Sequence, residues 1–316
     1  MSDENIAVVC GANGYVGRNL VQYLSNKGFS VRAIARTPGA KLAGVHYVYG
    51  DLRTPEVCRT ATNRAKWIFN LAANVGGIGF IGTQKTECML SSLINTNLLL
   101  AASQEQSLAG YFFASSSCVY PEKDGQLREE DAYPAAPMDG YGWEKLFGER
   151  MCLSFANDYS MPTRIARYHT IYGPGDIRGP GRDHVTAALC KKVVAAKLSG
   201  VHEINIWGDG NQTRSFLYID DCVEGTFRIM MSMSPAPVNL ANDELVSVND
   251  LVTELEEIAA VRLMRFYSPN APQGLQHKEV DNTLLRTTIG WEPSTPIKIG
   301  LERMYRDFYD RALQAK

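Results

Sequence analysis

The apolar run NIAVVCG at residues 5–11 ends on a glycine, and two more follow at regular intervals, giving Gly11, Gly14 and Gly17. A helical pattern from Tyr15 to Asn26 begins inside the same stretch, GANGYVG. A strand that must become a helix within so few residues leaves the chain little choice. Glycine supplies the turn, because it takes up positive φ at low cost, and it lets the strand and helix backbones approach. The same rhythm then continues. FSVRAIA, VHYVYGDL, AKWIFNLAA, GYFFASSS and PTRIARYH read as further strands, with one long helix expected from about Thr86 to Ser107. Such alternation implies a parallel sheet wrapped by helices, with ligand at the carboxyl ends of the strands.

The expected fold class is therefore α/β, a Rossmann-type doubly wound parallel sheet. Beyond Tyr172 the texture changes. GPGDIRGPGR is rich in Gly and Pro, and short strands such as EINIWG and SFLYI mix with helices. This predicts a smaller mixed C-terminal lobe interleaved with the first. Residues 1–171 with 218–241 would form one domain, and 172–217 with 242–316 the other.

With 316 residues, the chain can bury one large core or two modest ones. Its formal charge of -2 gives no reason to expect nucleic acid or an anionic membrane as partner. No apolar run approaches the roughly 20 residues of a membrane span, and the acidic start, MSDEN, does not read as a leader. Seven cysteines, widely spaced and without a CxxC pair, argue against a zinc site and for buried thiols in a reducing, cytoplasmic setting. No metal is expected.

In its strand–turn–helix context the glycine loop, with Asn13, Tyr15 and Val16, reads as a dinucleotide site whose pyrophosphate rests on the helix N-terminus. The end of the second strand would carry an acid if the ribose 2′-hydroxyl were gripped, yet Ala35 and Arg36 stand there. NAD and NADP both remain open. Asp51 and Leu52 are placed to meet the adenine.

YGWEK sets Tyr141 and Lys145 on one helical face. A phenol of pKa near 10 is a poor base at neutral pH, but an ammonium one turn away and a cationic nicotinamide stabilise the phenolate. Ser116, in the serine-rich strand end FFASSSCVYPE, would hold the substrate oxygen.

With the glycine loop, FNLAA at 69–73, SSSCVYP, YGWEK, IYGPG and QTRSFLYIDD, the chain resembles an extended short-chain dehydrogenase/reductase of the nucleotide-sugar epimerase and dehydratase class, over nearly its whole length. That resemblance implies a tightly bound, recycled NAD touching Leu71, Ala72 and Ala73, a nucleotide-diphosphate sugar as substrate, and a homodimer joined through two helices per subunit. Dehydratases of the class carry an acid where this chain has Cys118. AANVGGIGFIG, FFASSSCVYPE, IWGDGNQTRSF and DDCVEG are most similar to the GDP-mannose 3,5-epimerase family. There the matching cysteine is one of two acid/base groups acting beside a transient 4-ketone. A thiol, with a reference pKa of about 8.5, suits that task.

The family's opposite-face lysine is matched by His184, after Arg182, in GPGRDHVTAA; histidine titrates near neutrality and would serve as the acid. Thr170 stands where the family has asparagine, and His277 and Lys278 where it has arginine. Arg214 would clamp the diphosphate, His277 would contact substrate, and Gly76, Gly77, Ile78 and Gly79 would border the sugar. Trp207, in a short strand, reads as core rather than as a base platform. The leading reading is a nucleotide-sugar epimerase. Rivals are a 4-epimerase, a dehydratase, an NADPH-dependent reductase and, remotely, a non-enzymatic dinucleotide sensor.

Overall fold

A computed structural model describes residues 5–123, 125–178, 181–272 and 276–315. The first four residues of the acidic start, residues 179–180 of GPGDIRGPGR and residues 274–275 of GLQHKEVDN lie outside the described residues. In chain order the strands are β1 (Ile6–Cys10), β2 (Ser30–Ala35), β3 (His46–Tyr49), β4 (Trp67–Asn70), β5 (Gly110–Ser116), β6 (Gln126–Leu127) and β7 (Thr163–Tyr168). They continue as β8 (Thr170–Tyr172), β9 (Glu203–Trp207), β10 (Thr213–Tyr218), β11 (Pro237–Leu240), β12 (Leu245–Ser247), β13 (Met264–Ser268) and β14 (His277–Val280). The helices are α1 (Tyr15–Asn26), α2 (Pro55–Thr62), α3 (Ile78–Thr83), α4 (Lys85–Met89), α5 (Ser91–Ala102) and α6 (Gly140–Tyr159). After them come α7 (Val185–Ser199), α8 (Ile219–Met231), α9 (Val248–Ala259), α10 (Thr283–Ile289) and α11 (Ile297–Gln314).

Seven strands pair in the order β11-β7-β5-β4-β1-β2-β3, all parallel. The order reverses at β1, between β4 and β2, which opens a crevice at the strands' carboxyl ends. Side chains alternate across the sheet. Ala7 and Val9 join one apolar core, while Ile6, Val8 and Cys10 join the other. Helices α1 and α8 cover the first face, and α2, α5 and α6 the second. All seven residues of β5 are buried, as a strand covered on both faces requires.

The second sheet runs β12-β10-β14-β6, with β8 also on β10, and only the β10–β12 pair is antiparallel. Its β6 comes from the first half of the chain, a contribution not anticipated from the sequence: Gln126 and Leu127 pair with Glu279 and Val280. A separate parallel pair joins β9 to β13.

The helix expected over Thr86–Ser107 is two helices, α4 and α5, meeting at Leu90 and ending at Ala102. Their meeting point lines the crevice, where Leu90, Ser91 and Ile94 face the cavity. A buried polar network ties α6 to the strand ends. Arg167 on β7 forks onto Glu149 of α6 at 2.9 and 2.7 Å, and Ser115 donates to the same carboxylate at 2.5 Å. Arg167 also reaches Tyr120, whose hydroxyl donates to Asn239 of β11 at 2.6 Å.

Candidate active site

The crevice beside β1 encloses about 320 Å³. Gly11 has φ 82, and a Cβ there would lie 3.0 Å from the Ala72 Cα and the Leu71 carbonyl oxygen. At Gly17 a Cβ would strike the Gly11 carbonyl at 2.1 Å. A cradle so tight that side chains would fill it, opening on the N-terminus of α1, fits a dinucleotide's pyrophosphate. Gly11, Asn13 and Gly14 line it, opposite Leu71, Ala72 and Ala73.

Tyr15 and Val16, expected to contact cofactor, turn inward and join the apolar packing. The Tyr15 ring lies 5.2 Å from the Arg18 guanidinium and 5.7 Å from that of Arg178. They and Gly17 offer the cofactor the helix N-terminus rather than side chains, because the first turn of α1 must pack on the sheet.

At the adenosine end Ala35, Arg36, Asp51 and Leu52 line the cavity, joined by Arg53, which the sequence reading missed. Arg53 grips Asp51 through hydrogen bonds of 2.9 and 2.6 Å, and those bonds hold the Asp51 carboxyl below the usual carboxylate range. A guanidinium two residues after a strand-end acid was the signal available.

The serine, cysteine, tyrosine and lysine singled out in the sequence come from the end of β5, the turn after it and α6. Past Ser116 the chain makes a short turn, residues 117–119, in which the Cys118 amide donates to the Ser116 hydroxyl at 3.1 Å. Asp139 caps α6 by accepting from the Gly142 amide at 2.8 Å. Gly142 is needed where it stands, since a Cβ would lie 2.1 Å from the Cys118 carbonyl oxygen. The helix therefore rests directly on the cysteine turn. Tyr141 hydrogen-bonds Ser116, and Lys145 Nζ sits 5.6 Å from the Tyr141 ring centroid. Burial, the neighbouring Cys118 and Glu144 push the Tyr141 phenol well up, against the pull of the Ser116 bond. A positive charge must enter the site to bring it down. Of the seven cysteines, Cys118 alone is not fully buried.

Arg214 and Lys278 are register partners on β10 and β14, so their side chains share a sheet face. Both lie near Cys118. Burial lowers Arg214 to about 10, and it lowers Lys278 as well, with Arg214 adding to the effect and Cys118 and Asp139 opposing it. Two neighbouring, partly buried cations make a site for an anion. His277, expected to touch substrate, faces the other way and bonds Thr213 at 3.0 Å, because adjacent strand residues alternate. Lys278 takes the inward place.

His184 and Arg182 lie against the Gly76–Gly77 loop rather than free in a pocket. Arg182 donates to the Asn74 side chain and the Val75 carbonyl at 3.0 Å each, and its guanidinium stacks 3.7 Å from the Phe80 centroid. Gly77 donates to the Arg182 carbonyl at 3.0 Å, whereas Ile78 remains 39% exposed. His184 Nε2 lies 3.0 Å from Arg178, and burial and that guanidinium push the imidazole down to about 3. The expected titration near neutrality is thus corrected: His184 is neutral at pH 7. Trp207 is corrected too. It is 48% exposed at the end of β9, where alternation turns Ile204 and Ile206 inward instead.

A glycine cradle at the carboxyl ends of a parallel sheet, opening on a helix N-terminus, defines a dinucleotide-binding Rossmann-type fold. The chain belongs to the NAD-dependent epimerase/dehydratase family, whose model matches residues 7–241. It is 34% identical over 306 residues to GDP-mannose 3,5-epimerase 1 of Oryza sativa subsp. indica, covering 94% of this chain and 80% of that protein. With Probable GDP-L-fucose synthase 1 of Oryza sativa subsp. japonica the identity is 26%, over 98% of this chain and 93% of that one. Among solved structures, UDP-glucose 4-epimerase of Thermotoga maritima superposes with a TM-score of 0.87 at 21% identity, covering 97% of this chain and 99% of that one. Among the described residues no helix is long and apolar enough to cross a membrane, and no three side chains gather as metal ligands.

Proposed function

We propose that this protein is a nucleotide-sugar epimerase working through a transient 4-keto sugar, with GDP-mannose or a close relative as substrate. The observation that carries the reading is the grouping of Cys118 with Ser116, Tyr141 and Lys145 where α6 rests on the turn after β5, near the paired cations Arg214 and Lys278. A dehydratase or simple 4-epimerase has no need of that thiol.

A bound nicotinamide dinucleotide supplies hydride acceptance at C4 of the sugar and its later return, without net reduction. Tyr141 takes the C4 hydroxyl proton, Ser116 steadies the oxygen, and the Lys145 ammonium stabilises the phenolate. The ketone acidifies the neighbouring C3 and C5 hydrogens, because the resulting carbanions are enolates. Cys118 then exchanges a proton at C5, C3 or both, while Arg214 holds the diphosphate. We assign residues 1–171 with 218–241 to the dinucleotide and 172–217 with 242–316 to the nucleotide sugar. Six buried thiols and one half-buried one suit a reducing, cytoplasmic setting.

Incubation with GDP-mannose in D2O, followed by mass and NMR analysis, tests the reading. Deuterium at C5 or C3 supports it; an untouched sugar sinks it. Running the same incubation on protein stripped and reloaded with NAD or NADP decides the cofactor, which Ala35, Arg36 and Arg53 leave open to a 2′-phosphate.

The opposite-face acid has two candidates. His184, the residue matched to the family's lysine, is neutral and tied to Arg178. Lys278 lies by Cys118, and burial loosens its hold on a proton. Lys278→Met is therefore expected to cut deuterium incorporation about a hundredfold or more, and His184→Gln less than tenfold. The reverse order, measured by initial exchange rates, would return the role to His184.

A homodimer is part of the proposal. Leu93 and Leu100 on α5, and Trp143 and Phe147 on α6, are 46%, 52%, 45% and 49% exposed. These two helices pack side by side, so the four form an apolar face of the kind that marks a protein interface. Phe147→Glu should convert a dimer into a monomer in light scattering, and a monomeric unaltered protein would remove the idea.

A further inference from the structure

We propose that Glu144 is a positioning residue that sets the proton affinity of Tyr141, a fixed negative charge that lets the tyrosine both take and return a proton. The inference rests on the reading of Tyr141 as the base of a recycling epimerase.

The geometry confines Glu144 closely. It is 2% exposed, adjacent to Lys145 and nearly one helical turn from Tyr141. Its Oε1 accepts from Asn95 Nδ2 at 2.5 Å. The Asn95 oxygen in turn accepts from Asn70 at 3.0 Å, and Asn70 also reaches the Tyr111 hydroxyl at 3.1 Å. The other oxygen, Oε2, carries no hydrogen bond among the described residues and faces Lys145 Nζ at 3.6 Å. A carboxyl group enters such a place at a high desolvation cost unless its charge has a use. Burial pushes Glu144 up, while the Lys145 charge and the Asn95 hydrogen bond oppose that. We assign the ionised form, because a neutral acid would leave the buried Lys145 ammonium without a counter-charge.

Other titratable groups lie around this pair. Cys88 comes from α4 and Cys152 from α6, while Tyr111 of β5 closes the hydrogen-bond chain through Asn70. Burial holds Cys88 up at about 11 and the other two above their ordinary values, so all three are neutral at working pH. Asp139 and Arg182 act on Cys88, and Glu149, paired with Arg167, acts on Cys152. On the substrate side Cys118 also acts on Tyr141. Glu144 is the carboxylate that acts on Tyr141. It is not a proton wire, since the chain of hydrogen bonds ends on Tyr111, which has no exposure.

The reaction explains the need. A one-way dehydrogenase profits from any stabilisation of its phenolate. An epimerase must take the C4 proton and give it back each cycle, and a phenolate stabilised by both Lys145 and a cationic nicotinamide would be too weak a base to take that proton well. A nearby carboxylate disfavours the phenolate and restores the balance, keeping the pKa near the operating pH, where acid and base roles are both served.

The test titrates phenolate absorbance near 295 nm in the NAD-loaded protein, with the kcat–pH profile alongside. Removing a negative charge lowers the pKa of its neighbour, so Glu144→Gln should move the Tyr141 midpoint, and the acid limb of kcat, down by about one unit or more. Glu144→Asp withdraws the charge by one methylene and should move both the same way by less, which covers the case that the glutamine variant does not fold. Unmoved midpoints in folded variants overturn the inference and leave Glu144 a packing residue. Tyr141→Phe is the separate control: if the low titration persists without that phenol, it is the reading of Tyr141 as base that fails.

Discussion

Cys118→Ser protein, incubated with GDP-mannose in D2O, is expected to incorporate deuterium at C3 or C5 about a thousandfold more slowly than the unaltered enzyme. The estimate follows from the usual contribution of a positioned acid/base group, about 10² to 10⁴ in rate, with the upper part favoured because a serine hydroxyl ionises far above a thiol. The substitution is nearly isosteric, and the Cys118 amide still reaches the Ser116 hydroxyl. Oxidation at C4, which the proposal gives to Tyr141, Ser116 and Lys145, should survive. The expected signature is therefore a split: transient reduced nicotinamide at 340 nm persists while sugar exchange disappears. A variant with full exchange would show that the thiol only fills space and that another group moves the proton at C3 or C5. Loss of both signals in a folded variant would instead mean that the cysteine turn positions Tyr141, a reasonable concern where α6 rests on the Cys118 carbonyl.

Arg167→Met is expected to cost about 3–5 kcal/mol of stability, the range for breaking a buried pair by removing one partner. Arg167 is 2% exposed and Glu149 is 1% exposed, so methionine would strand a carboxylate with only Ser115 beside it. For a chain of this size the loss corresponds to a fall in melting temperature of about 5–8 °C. The double variant Arg167→Met, Glu149→Leu should recover much of it, because replacing a whole buried pair by apolar groups is often neutral. No recovery would mean that the bonds from Arg167 to Tyr120 and the Glu129 carbonyl hold the turn after β5 by themselves. Calorimetric melting of the three proteins decides between the two. The network matters to function because it joins β5, β7 and α6, the elements that hold Ser116 and Tyr141 in register.

Several corrections share one cause. His277 is expected to contact substrate, yet a strand sends neighbouring side chains to opposite faces, and the inward face depends on pairing with β10. Nothing local distinguishes the two residues. Trp207 was expected inside because tryptophan is large and apolar, but β9 joins a two-stranded sheet with one open face. The break at Leu90 interrupts a run with good helical composition, and only the nearby crevice makes sense of it. His184 titrates in free solution near neutrality; the guanidinium at 3.0 Å that prevents this comes from a loop residue whose folding back the sequence does not announce.

What the sequence by itself determined was the covalently local part. GANGYVG must make a tight strand-to-helix turn, YGWEK must set a phenol and an ammonium on one helical face, and the βα alternation must make a parallel sheet. Each follows from backbone sterics or helical periodicity within a few residues. The tertiary structure alone decided the long-range part: Arg214 beside Lys278, α6 lying on the carbonyl of Cys118, Glu144 walled in with Asn95 from another helix. Those arrangements set burial and the distances between charges. In a low-dielectric interior, burial and charge separation decide which groups carry a proton at neutral pH.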